Sequence, residues 1–342
     1  MNHTHILIIR FSAIGDIAMT VPVVNALALQ YPDVKVTVLS RPFAKAFFSG
    51  LAPNVFFMGA DLKDEYKGIS GLNELFKRVY SKNITHVADF HDVLRSKYLS
   101  FRFLINGKKV AHINKHRHQR RQLCRIKDKV LSPLPSSFDN YADVLARLGF
   151  RINISLDNQS LSPLYNSLEE ENKKVSTRGN LDGTLGIGIA PGASYKGKIY
   201  PQEKMAELIA LLQQRFAGCR IYIFGEKDNP YSGTVNVRDI CNGFSEEMQL
   251  MTSLKVMVSM DSANMHIASL VGLPVVSVWG QTHPLAGFMG WGQSTDNVVQ
   301  LDLPCRPCSI YGNKECHYGD YRCITQITPQ AIADKVERIV RG

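Results

Sequence analysis

Short apolar runs, each closed by a polar turn and followed by an amphipathic stretch, recur along the chain. Residues 6–9 (Ile-Leu-Ile-Ile) form the first run. They lead through Phe-Ser-Ala-Ile-Gly-Asp into a helical pattern over 17–30 that ends at Tyr-Pro-Asp. Residues 34–39 are β-branched, and 84–90 are apolar before an amphipathic segment at 93–104. Strands alternating with helices predict a parallel, doubly wound sheet. The same grammar restarts in the second half. Strands are expected at 185–190, 220–224, 255–259 and 274–279, and helices at 201–216 and 329–340. Between the halves, 166–183 carries Glu-Glu-Glu-Asn-Lys-Lys and Asp-Gly, with little to bury, as a linker does. The expected α/β organisation is an N-terminal Rossmann-like domain over 1–165, that linker, a second such domain over 184–325 and a closing helical segment over 326–342. Two open α/β sheets place ligands at the carboxyl ends of their strands, so a cleft is expected between them.

Composition narrows the classes. The chain has 342 residues, 45% of them hydrophobic and 20% charged, ordinary values for a globular protein. No stretch of about 18 apolar residues suggests a membrane span, and the first apolar block is too short for a signal peptide. A cytoplasmic location is therefore expected. Net charge is +10, which favours an anionic partner. Seven Lys and Arg lie between Lys115 and Lys129, beside His116 and His118. That segment is either a solvated face or a site for a phosphorylated substrate or an anionic membrane surface. No nucleic-acid-binding signature accompanies it. Of seven cysteines, Cys124, Cys219 and Cys241 stand singly, which argues against a disulfide scaffold. Cys305, Cys308, Cys316 and Cys323 form a cluster whose first pair has zinc-ligand spacing. Free thiols are the alternative, and either way the role is structural.

Three strand-to-helix turns carry candidate chemistry. Pro191-Gly192-Ala193-Ser194 lets backbone approach an anion closely, with Lys196 and Lys198 to neutralise it. Two surface lysines on an ordinary turn are the competing explanation. Asp261-Ser262-Ala263-Asn264-Met265-His266 offers a carboxylate, a hydroxyl and helix amides to a polyhydroxylated, phosphorylated ligand; a simple N-cap explains the same residues. In the first half, Ser12-Ala13-Ile14-Gly15-Asp16 places Asp16 either as a helix cap or as a general base whose partial desolvation raises its pKa. Neither a Gly-x-Gly-x-x-Gly fingerprint nor a Walker A sequence is present, which disfavours NAD enzymes and P-loop ATPases.

Together these motifs resemble glycosyltransferase family 9, the ADP-heptose:lipopolysaccharide heptosyltransferases. Residues 6–22, Ile-Leu-Ile-Ile-Arg-Phe-Ser-Ala-Ile-Gly-Asp-Ile-Ala-Met-Thr-Val-Pro, look like the family's opening. Pro191-Gly-Ala-Ser-Tyr-Lys-Gly-Lys198-Ile-Tyr-Pro201 is similar to its Pro-Gly-Ala-Ser-Trp-x-x-Lys-Arg-Trp-Pro. Asp261-Ser-Ala-Asn-Met-His266 resembles Asp-Thr-Gly-Pro-Met-His, and Trp279-Gly-Gln-Thr282 resembles Phe-Gly-Pro-Thr. The similarity runs through nearly the whole chain.

The resemblance implies a GT-B fold with acceptor on the first domain, nucleotide-sugar on the second, and the last helix packed back on the first. It implies an inverting transferase, of the hexosyl or heptosyl type, that moves a heptose-like sugar from an ADP-heptose-like donor to a lipopolysaccharide or lipooligosaccharide core. By position, Asp16 is the base, while Gly192, Ser194, Lys198, Glu226, Asp261, Ser262, Ala263 and His266 hold the donor. Ser12, Gly15, Arg95, Arg120 and Arg121 are the acceptor candidates, the last two through the basic segment. No cofactor is implied, and no Asp-x-Asp is present to bridge a metal to a diphosphate. Contact with the inner membrane surface would follow from a glycolipid acceptor. Ala263, Asn264 and His283 depart from the family pattern around the donor. A nucleotide-sugar epimerase or hydrolase of the same fold, using His266 or His283 as acid or base, is the alternative, as is a non-catalytic nucleotide-sugar-binding module.

Overall fold

The computed structural model describes residues 4–154, Leu161 and 183–342. The chain divides into two compact units, Met1–Lys115 with Ser137–Leu164, and His116–Ser136 with Tyr165–Gly342.

The first unit holds β1 (His5–Ile9), β2 (Lys35–Ser40), β3 (Val55–Gly59), β4 (His86–Asp89) and β5 (Lys109–His112). They pair in parallel in the order β3-β2-β1-β4-β5. Every residue of β1 is buried. A central parallel strand is covered on both faces, which is why it reads as a continuous apolar run. Helices Gly68–Tyr80 and Leu94–Ile105 close one face, setting Leu75, Phe76, Val79, Leu99 and Phe103 against Leu7 and Ile9. The helix expected over 17–30 is two helices, Ile14–Ala18 and Val21–Gln30. The break falls where the Thr20 hydroxyl donates to the Ile17 carbonyl at 2.7 Å and Pro22 opens the second helix, a position that suits its missing N–H.

The second unit holds β6 (Gly186–Ala190), β7 (Arg220–Ile223), β8 (Val235–Asn236), β9 (Val256–Met260), β10 (Val275–Trp279) and β11 (Val298–Gln300). Their order is β11-β10-β9-β6-β7-β8, again parallel. Both sheets are doubly wound. The strand order reverses at β1/β4 in one and at β6/β9 in the other, and at such a point the loops after neighbouring strands diverge and leave a crevice.

Two expectations change. Residues 116–136 belong to the second unit, not the first, because the few apolar side chains among the charges are buried there. Leu123 and Leu134 pack with Ala286, the Leu134 N–H donates to the Leu285 carbonyl at 2.9 Å, and Lys129 Nζ donates to the Pro307 carbonyl at 2.9 Å. The closing helix, Pro329–Arg341, buries Ile332, Ala333 and Val336 in the second unit's own core. Arg215, on helix Gln202–Arg215, pairs with its Asp334 and Glu337 at 2.8 and 2.7 Å. The linker expected over 166–183 lies, but for Gly183, outside the described residues.

Candidate functional site

In the first unit, Ile9 of β1 is paired with Asp89 of β4, so the loops that follow these two strands start side by side. Arg10, nearly buried, reaches across: its Nη1 donates to the Phe90 carbonyl at 2.6 Å and its Nη2 lies 2.7 Å from Asp16 Oδ2. The same carboxylate oxygen accepts the Ala13 N–H at 3.1 Å. Asp16 therefore caps its own helix and is ion-paired, and its side chain keeps 28% exposure. The Arg10 guanidinium lies against the carboxylate that the proposed base would use.

His91 is a neighbour of Ser12 that the sequence reading did not single out. Its Nδ1 accepts the Phe11 N–H at 3.4 Å, which leaves the proton on Nε2, 3.1 Å from Ser12 Oγ. Burial first, then the charge of Arg10, lowers the His91 pKa to about 4. Neutral His91 thus fixes the Ser12 oxygen and leaves the serine proton to be donated elsewhere. Ser12 and His91 line a cavity of about 410 Å³ whose charged walls are Arg41, Lys63 and Arg95. Three cations and no carboxylate suit an anionic ligand. Of the expected acceptor residues, Ser12 and Arg95 meet here, while Gly15 is buried inside its short helix.

Arg120 and Arg121 lie on the second unit. Arg120 Nη1 donates to Tyr311 Oη at 2.7 Å, and its guanidinium lies 5.4 Å from the Phe288 ring centroid. It is a packing residue of the second unit, and Arg121 is an exposed neighbour on the same short helix, Arg117–Leu123.

At the second switch point, Ala190 of β6 is paired with Ser259 of β9. The turn after β6 runs to the helix expected from 201, as the sequence placed it. A 3-10 turn, Lys196–Lys198, intervenes before the helix opens at Gln202, so this helix's N-terminus is not where Gly192 sits. Lys198 turns instead to the neighbouring loop, its Nζ 3.1 Å from Asp261 Oδ2, with both side chains largely buried. Gly312 makes room for the lysine stem, because a Cβ there would meet Lys198 Cγ at 2.5 Å.

Ser262 occupies the N-cap position of helix Ala263–Leu270, yet its side chain makes no capping bond. The first-turn N–H groups of this helix are thereby left for another acceptor. His266 is buried within the helix. Asn264 extends toward Gly225, where a Cβ would lie 2.8 Å from its Nδ2. Next to Gly225, Glu226 lies over Gly192, a Cβ on which would meet Glu226 Oε1 at 2.5 Å. Gly192 and Glu226 line a cavity of about 700 Å³ with Lys196, Tyr231, Tyr321 and Ile324. Carboxylate, cation and aromatic walls are what a nucleotide-sized ligand calls for. Ser194 is exposed on the adjacent loop.

His283 caps its own turn, Pro284–Ala286. Its Nδ1 accepts the Leu285 N–H at 3.1 Å, and burial followed by the charge of Arg306 lowers its pKa to about 4. Cys305, Cys308, Cys316 and Cys323 lie near enough to act on one another's thiol charge, while among the described residues no three of their sulfurs come within 4.8 Å of one another. Burial raises the Cys323 pKa to about 12 and that of Cys308 above its ordinary value. Asp89, Asp92 and His112 do converge to that distance, but Asp92 is 3.1 Å from Lys97 Nζ and Asp89 is saturated by protein donors. Burial alone would raise the Asp89 pKa, yet hydrogen bonds from His112 and the N–H groups of Asp92 and His91 hold it below the usual range.

The two parallel-sheet α/β domains are those of the GT-B glycosyltransferase fold. Structures covering 98–100% of the chain align with it at 16% identity: a family 9 glycosyl transferase from Veillonella parvula (TM-score 0.71, 98% of that chain), the E. coli ADP-heptose lipopolysaccharide heptosyltransferase II (0.69, 99%) and E. coli heptosyltransferase WaaC with ADP (0.67, 100%). The chain belongs to glycosyltransferase family 9 (heptosyltransferase), whose profile matches residues 72–319, and is a glycosyltransferase. A curated relative, lipooligosaccharide heptosyltransferase 2 of Haemophilus influenzae, is 24% identical over 311 residues, covering 82% of this chain and 84% of its own.

Proposed function

We propose that the protein transfers a heptose-like sugar from an ADP-linked donor to a lipopolysaccharide or lipooligosaccharide core, with inversion at the anomeric carbon. The observation that carries this is the Lys198–Asp261 pair at 3.1 Å, set at the switch point of the second sheet in a chain of this family. The adjoining cavity of Gly192 and Glu226 takes the nucleoside. Lys198 and the uncapped helix amides after Ser262 meet the diphosphate, whose charge grows as the glycosidic bond breaks. Asp261, relieved of Lys198 by the phosphate, accepts hydrogen bonds from sugar hydroxyls.

On the first unit, Asp16 takes the proton of the attacking acceptor hydroxyl. Arg10 and the Ala13 N–H hold one carboxylate oxygen, which orients the group. The cationic cavity of Arg41, Lys63 and Arg95 holds anionic groups of the core. With a glycolipid acceptor, the enzyme works at the inner face of the cytoplasmic membrane.

The test is a reaction of ADP-heptose with deacylated core, following the anomeric configuration of the product by NMR. Asp16→Asn is expected to lower kcat by about 10²–10⁴-fold with ADP affinity unchanged. Near-normal turnover of the variant refutes the base, and a retained configuration refutes single displacement. Donor turnover without acceptor would identify an epimerase or hydrolase instead.

A further inference from the structure

Helix Leu94–Ile105 is only half covered. Ser96, Leu99, Ser100 and Phe103 are buried against the first unit. On the other side Leu94, Phe101, Leu104 and Ile105 are 86, 57, 55 and 60% exposed. At 3.6 residues per turn these four and Lys97 fall within an arc of about 100°, so they form one stripe and not scattered exposure. Isolated exposed leucines need no explanation, but a contiguous apolar stripe does.

Its charge selects the occupant. Residues 94–109 include Arg95, Lys97, Arg102, Lys108 and Lys109, and no Asp or Glu; Lys97 is paired with Asp92 at 3.1 Å, which leaves Arg95, Arg102, Lys108 and Lys109 without an acidic partner among 94–109. A second copy of the chain would bring the same four cations face to face. An anionic bilayer answers both features, taking the apolar stripe at the headgroup–acyl boundary and the cations at its phosphates. The stripe also starts at the acceptor cavity, which Leu94 and Arg95 line. We infer that helix Leu94–Ile105 is the face on which the protein lies against an anionic phospholipid surface. The link from this face to the acceptor cavity rests on the function proposed above; binding to lipid does not.

The experiment is co-sedimentation of the full chain with vesicles of phosphatidylethanolamine and phosphatidylglycerol, and with phosphatidylcholine alone. Binding is expected to the anionic vesicles only and to be reversed by salt. Joint substitution of Phe101→Ser, Leu104→Ser and Ile105→Ser should weaken it at least about 10-fold, as should Lys108→Glu with Lys109→Glu. Transfer to a deacylated core should be unchanged in both variants. The inference is overturned if the wild type does not bind, if it binds phosphatidylcholine equally, if the triple variant binds as well as wild type, or if the triple variant converts a wild-type oligomer to monomer. Failure of the wild type to use a deacylated core, with vesicle binding intact, would count against the proposed function alone.

Discussion

Gly192→Ala separates the role of Glu226 from the stability of the fold. The added methyl would sit 2.5 Å from Glu226 Oε1, too close for both to remain. The backbone at Gly192 is not left-handed, so alanine introduces no strain of its own there. The near atom is the tip of a flexible carboxylate, and Glu226 should swing away at little cost in folding free energy. Under the proposed function, what is lost is the position of that carboxylate on the donor. A hydrogen bond to a charged group is worth about 1.5–3 kcal/mol, or roughly 10–150-fold in Kd. Glu226 is partly exposed, so screening places the effect near the lower end, about 10-fold. Calorimetric titration with ADP-heptose should show this loss for Gly192→Ala and for Glu226→Ala. The double variant should lose no more than either single, because both remove one interaction. Additive losses, or unchanged affinity in Gly192→Ala, would refute the placement of Glu226 on the donor.

Two further outcomes concern stability. Arg306 is buried and donates to the carbonyls of Gly280, Trp279, Thr282 and Leu301; Arg306→Met should cost at least about 3 kcal/mol in urea unfolding, and a loss under 1 kcal/mol would contradict its role as the organiser of that loop. Burial, then the charge of Arg10, lowers the His91 pKa in the fold to about 4, below its ordinary 6.5. The unfolded chain therefore binds the proton more tightly. Stability should be complete above about pH 6.5 and fall as pH drops toward 4, by on the order of 3 kcal/mol from this group. His91→Gln should flatten that slope, and an identical pH profile in the variant would show that His91 does not carry it.

Much of the fold is legible in local pattern. The central strands β1, β4, β6, β9 and β10 sit within two residues of where the apolar runs placed them, because burial on both faces writes itself into consecutive positions. The edge strands β3, β5, β8 and β11 were not anticipated. An edge strand is short and half-covered, and Val-Phe-Phe-Met-Gly at 55–59 looks no different from a loop with apolar residues. The site divides in the same way. Asp16, Lys198 and Asp261 stand out because strand-to-helix turns have a recognisable chemistry, and Glu226 through the family resemblance. His91 and the cationic partners Arg41 and Lys63 carry no such signal.

The sequence by itself determined the two repeats of alternating strands and helices, the turns that bear charge, and the family those turns resemble. These depend on neighbours a few positions apart, which the order of residues specifies directly. Only the tertiary structure decided that Lys198 is held by Asp261, that Asn264 meets the Gly225–Glu226 turn, and that Arg120 lies against aromatic rings. It also decided that residues 116–136 and the closing helix belong to the second core. Each of these joins positions dozens to more than a hundred residues apart. What settles them is which buried surface a few leucines or a cation can reach, and the composition of the segment does not record that.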